Sequence, residues 1–106
     1  MGVINFFRQQ YGQTPLEIEP RLAKYVNLAI NNKPLDIKLQ GLITIQHSAL
    51  VDEFTGQTAP SFIKSWIRDS YTLNALLSPA NKGYIEFVEQ PDESKKVVFI
   101  NVLTFN

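Results

Sequence analysis

The run Lys95–Phe105, KKVVFINVLTF, limits the fold more than any other stretch of this chain. Read as a strand, it points Val97, Phe99, Leu103 and Phe105 to one side and Val98, Ile100 and Val102 to the other. A strand apolar on both sides needs cover on both, so it belongs in the middle of a sheet. Just before it stands GYIEFVEQ, a second strand pattern, and between the two lies PDES, a turn composition. The pair reads as an antiparallel hairpin of Tyr84–Gln90 with Lys96–Phe105.

The register of that hairpin decides which residues share a face. With Glu89 opposite Lys96, a favourable charge pair, Ile85, Phe87, Val98, Ile100 and Val102 make a wholly apolar face suited to helices. The opposite face is then mixed: Tyr84, Glu86, Val88, Val97, Phe99, Asn101, Leu103 and Phe105. A slip by one residue gathers Ile85, Phe87, Val97, Phe99 and Leu103 on one side. Tyr84, Glu86, Val88, Val98, Ile100 and Val102 then lie on the other.

The rest of the chain supplies the cover. Val3, Ile4, Phe7 and Tyr11 fall at helical spacing over residues 2–11, with Gly12 as a stop. Glu19 and Pro20 suit the start of a second helix, whose stripe is Leu22, Val26, Ala29 and Ile30. Asn31, Asn32 and Pro34 end it. From Leu35 the period becomes two: Leu35, Ile37, Leu39, Ile43 and Ile45 alternate with mostly polar neighbours, which predicts a half-buried strand with Gly41 as a bulge or close approach. Residues 48–60 fit a continued strand with a turn at Thr55-Gly56, or one helical turn. A third helix is expected from Ser61 to Leu77, stopped by Pro79. The predicted fold is a single α+β domain over residues 1–106. It has two layers, with a small antiparallel sheet ending in a C-terminal hairpin and about three helices mainly on one face.

A length of 106 residues, 44% hydrophobic and 19% charged, suits one globular core. There are no cysteines, so the chain carries no disulfide, thiolate metal site or cysteine nucleophile. Ten basic and ten acidic residues cancel, which argues against a surface built to neutralise phosphate. No stretch approaches the ~18 apolar residues of a membrane span. The opening MGVINFFRQQYG lacks the basic start of a signal peptide, so the cytoplasm is the expected location.

Little in the sequence suggests chemistry. His47 is the single histidine, with Ser48, Asp52 and Glu53 nearby. One imidazole plus carboxylates is a poor metal set, and a triad would need a serine and a carboxylate placed around it. The carboxylate pairs Asp52-Glu53 and Asp92-Glu93 are sequence neighbours, not two groups facing one cleft. Lys64, Trp66, Arg68 and Tyr71 interleave charge with aromatics, a pattern that binds single-stranded nucleic acid. Asp69 interrupts it, and Trp66 is claimed by the predicted core stripe. Glycine-rich phosphate loops are absent, and no cofactor or metal is expected.

These readings favour a non-enzymatic protein-interaction domain, an accessory, regulatory or inhibitory factor acting on a protein partner. The expected surface is the mixed face: Tyr84, Glu86, Val88, Phe99, Asn101, Leu103 and Phe105. It would be covered by a protein partner, by a second copy in a homodimer, or by the first helix folding across it. A buried Asn101 would then need a hydrogen-bond partner, which a symmetry mate could supply. A nucleic-acid module around Lys64–Tyr71 and a small hydrolase or isomerase around His47 are the rival readings.

Overall fold

A computed structural model describes residues 1–54, 61–92 and 94–106, the side chains of residues 54, 61 and 62 excepted. In chain order the elements are α1 (Gly2–Gln10), β1 (Glu17–Ile18), a 3₁₀ helix (Pro20–Tyr25), α2 (Val26–Ile30), β2 (Ile43–Phe54), α3 (Ser61–Arg68), α4 (Ser70–Leu76), β3 (Lys82–Glu89) and β4 (Lys95–Phe105). They form an α+β fold around one mixed sheet in the order β1-β3-β4-β2. The last strand is central: β3 and β2 both pair with it antiparallel, and the two-residue β1 joins β3 in parallel.

The hairpin adopts the slipped register, with Ile85 opposite Phe99 and Glu89 opposite Lys95. Val97, Phe99 and Asn101 therefore point to one side, which we call the odd face. Val98, Ile100 and Val102 point to the even face. The three helices α1, α3 and α4 lie on the odd face, where Ile4, Ile63, Trp66 and Leu76 pack with Leu50, Val97 and Phe99. The Trp66 and Phe99 rings sit 6.2 Å apart in a tilted arrangement. The helices thus take the apolar face, as expected, but the slip changes its β4 members from Val98, Ile100 and Val102 to Val97, Phe99 and Leu103. The mixed face, carrying Tyr84, Glu86 and Val88, is the even one, and the first helix lies on the opposite side of the sheet.

The even face is not open either. Leu22, Tyr25 and Val26, together with Ile37 and Leu39, close over Val98, Ile100 and Val102. The segment holding Ile37 and Leu39 was expected to be a strand. Its alternation is real, since Ile37 and Leu39 are buried while Asp36, Lys38 and Gln40 are exposed. It joins no sheet, because the available edge of β4 is taken by Ile43–Phe54. The Tyr25 hydroxyl stands in for a ladder partner, accepting from the Lys38 N–H at 2.9 Å and donating to its carbonyl at 3.3 Å. A turn then redirects the chain into β2: Gly41 has φ +83°, and the Leu42 N–H reaches the Leu39 carbonyl at 3.0 Å.

Other boundaries move for local reasons. Gly12 ends α1 with φ +76°, and the Gln13 N–H returns to the Arg8 carbonyl. Asn32, at φ +54°, follows the end of α2. The helix expected over 61–77 is two helices, because Asp69 is extended (φ −104°, ψ 125°) and its carboxylate caps α4 through the Tyr71 N–H. Residues 48–54 are strand, whereas the expected Thr55-Gly56 turn lies outside the described residues.

Candidate functional site

The seven residues expected to form one surface are divided by the sheet. Tyr84, opposite Ile100, lies on the even face with Glu86 and Val88, each partly buried. Phe99, Asn101, Leu103 and Phe105 lie on the odd face. Phe99 is 0% and Asn101 1% exposed, so neither can meet a partner. Of the seven only Phe105 is well exposed, beside its cross-strand neighbour Ile43. The cause is the one-residue register difference, which moves the β3 side chains to the other face. Tyr84 donates to the Glu86 carboxylate at 2.6 Å, and this bond raises the phenol pKa above its ordinary value.

Asn101 does find hydrogen-bond partners, and they come from its own chain. Its Nδ2 donates to the Ala75 carbonyl at 3.0 Å, and its Oδ1 accepts from the Ser48 hydroxyl at 2.6 Å and from the Ser78 hydroxyl at 3.3 Å. Ser78 also donates to the Ala75 carbonyl, at 2.8 Å. The expected role for a symmetry mate is thereby filled within the monomer.

The rival constellations are not assembled. His47 and Asp52 lie on opposite faces of β2, while Glu53 shares the His47 side but stands about 20 Å along the strand. Trp66 is 2% exposed, so it cannot stack on a base, while Lys64, Arg68 and Tyr71 remain at the surface. Among the described residues no group of three His, Asp or Glu side chains could hold a metal ion. Asp92 accepts from the Ser94 N–H and hydroxyl, which lowers its pKa and marks it as a turn residue; Glu93 lies outside the described residues.

Two features escaped the sequence. Arg8 is a buried cation, 0% exposed, that donates to the carbonyls of Thr14, Leu76, Ser78 and Ala80 at 3.0, 2.9, 2.9 and 3.4 Å. Burial lowers its pKa, yet a guanidinium stays charged, and the C-terminal end of α4 suits a positive charge. The available signal was its i+4 spacing from Ile4, the other buried residue of α1. Arg8 fixes α1 to the end of α4 and offers nothing to a ligand.

The second feature is the outer edge of β2. Twelve residues long, β2 ends the sheet and, among the described residues, is paired along one side only. A groove of about 400 Å³ runs beside Ala49–Val51, walled by Ala29, Ile30 and Lys33 on one side and by Tyr71 and Thr72 on the other. Val51 is 37% exposed and Tyr71 77%. The Glu53 N–H bonds its neighbour's carboxylate, Asp52 Oδ1, at 2.8 Å, so it is turned away from β4. Backbone direction alternates along a strand, and His47, Ala49 and Val51 therefore also present their N–H and C=O groups outward. Sequence alternation gives the faces of a strand but not which strand ends a sheet, so this edge could not be read in advance.

No family of known proteins matches the chain, and no curated protein matches it in sequence. Among solved structures it is similar to an outer surface protein of Borrelia burgdorferi, with a TM-score of 0.73 over 98% of this chain and 89% of that one. The two sequences are 15% identical, so the likeness is one of fold.

Proposed function

We propose that the chain is a protein-interaction domain, without catalytic chemistry of its own, whose working surface is the outer edge of β2. It acts as an accessory or regulatory factor by holding an extended segment of another protein chain against that edge. The observation carrying this reading is the twelve-residue edge strand, unpaired along one side among the described residues and opening into a groove of mixed polarity beside Tyr71. Free N–H and C=O groups in a row attract another strand, and the side pockets select which one. Native sheets usually defend such an edge with lysine or proline; Ala49, Leu50 and Val51 do neither. The cysteine-free core holds equally in reducing and oxidising compartments, so the reading stands inside the cell or on its surface.

The test is a photo-reactive amino acid in place of Tyr71, irradiated in the source cell. Adducts whose mass exceeds that of the chain by another polypeptide are expected. They should vanish with Val51→Pro, which removes one outward N–H but no bond to β4. Irradiation that yields no protein adduct, with the folded domain present, would overturn the proposal.

A further inference from the structure

We infer that the segment this edge takes is the same edge of a second copy, paired antiparallel across a two-fold axis at Leu50. The inference rests on the edge-binding reading and makes it specific. A β-bulge separates Thr44 from Gln46, which leaves a regular stretch, 47–53, centred on Leu50. The outward backbone groups are those of His47, Ala49, Val51 and Glu53, so a two-fold must pair odd positions with odd ones.

Any centre on a residue does that, and the three nearest the middle of the stretch give the longest pairing. Centred on Ala49, Glu53 meets Ile45 and the bulge falls inside the ladder. Centred on Val51, Asp52 meets the apolar Leu50. Centred on Leu50, Glu53 meets His47 of the second copy and Asp52 meets Ser48. Each contact occurs twice, and Ala49, Leu50 and Val51 form an apolar middle. The stretch carries His47 at one end and its carboxylates at the other, and antiparallel pairing brings unlike ends together. Tyr71, the most exposed large apolar side chain described, stands beside the axis. The outer edge of β3 lacks this complementarity: Glu86 and Glu89 line it, and β1 covers its start at Lys82 and Gly83.

Light scattering at roughly 100 μM, where edge-strand dimers of micromolar affinity are populated, should give twice the 12.1 kDa of the chain. Glu53→Arg removes the carboxylate that faces His47 across the axis and should raise the dimer dissociation constant at least about tenfold. The double variant His47→Glu/Glu53→Arg should restore it, because a carboxylate and a donor again face each other with their places exchanged. His47 and Glu53 are both exposed, so circular dichroism should show all variants folded. A 12.1 kDa mass throughout, or a dimer indifferent to Glu53→Arg, would overturn the self-pairing. A monomer that still gives adducts with other proteins from position 71 would sink the second copy alone. A monomer without adducts would sink the edge-binding reading as well.

Discussion

Asn101 and Ile100 are neighbours on β4, point in opposite directions, and are exposed by 1% and 0%. The layers that bury them differ in kind. Over Asn101 lie the end of α4 and the turn after it, whose carbonyls at Ala75, Leu76, Ser78 and Ala80 point into the protein. Asn101, Ser48, Ser78 and Arg8 supply side-chain donors to them. Over Ile100 lie the 3₁₀ helix and α2, and α2 ends at Asn31 and Asn32, which are exposed. There Val98, Ile100 and Val102 pack against Leu22, Tyr25, Val26, Ile37 and Leu39, a cover almost wholly apolar. A polar residue in an otherwise apolar strand can thus mark a helix terminus packed above it as readily as a free surface.

The two faces should answer opposite substitutions unequally. Ile100→Asn places an amide where no donor or acceptor is waiting and removes buried aliphatic surface. It should cost about 4 kcal/mol or more, read as a lower urea midpoint. On the other side, Arg8→Met keeps the stem but strips four carbonyls of their donor. A loss of about 3 kcal/mol is expected, with amide exchange accelerating first in α1 and at residues 76–80. A variant as stable as the parent would show that water replaces the guanidinium, and the odd face would then be wetter than described. Asn101→Leu should cost only about 1 kcal/mol, because Ser48 and Ser78 still donate to the Ala75 carbonyl. If Asn101→Leu proved as damaging as Ile100→Asn, the contrast between the faces would be void.

The same contrast explains how far the sequence could be read. The doubly apolar run 97–105 does require a central strand, and its composition says so. The slip that put Phe99 beneath the helices depends on Glu89 facing Lys95 rather than Lys96, and both pairings are equally good as charge pairs. Ile37 and Leu39 alternate like a strand because one side of the segment is buried. Alternation reports burial, and only the competition for the edge of β4 decides hydrogen bonding. Tyr71, Val51 and Lys33 come from three separate segments, so the groove they share has no local signature. Arg8 looks like a surface residue until the end of α4 is placed above it.

The smallest expected effect concerns the cover of the even face, whose polar tethers lie at its ends and not inside it. Glu19 caps the 3₁₀ helix: its carboxylate accepts from the Arg21 N–H at 3.2 Å and from the guanidinium at 2.9 and 2.8 Å. These bonds hold its pKa down at about 2, although burial pushes the other way. In the unfolded chain the group titrates at its ordinary value of 4.5. A depressed folded pKa means stability that is fully present above about pH 4.5 and is lost as the pH falls toward 2. Arg21 is half exposed, so solvent screens the pair and the contribution is on the order of 1 kcal/mol. Urea titrations at neutral pH and in that acidic window should show the parent losing more stability than Glu19→Gln, which cannot titrate. Amide exchange should place the acid-sensitive opening in the 3₁₀ helix and α2, leaving α1 and α4 protected. Equal acid losses in the two proteins would mean that the cover of the even face is held by its aliphatic contacts alone.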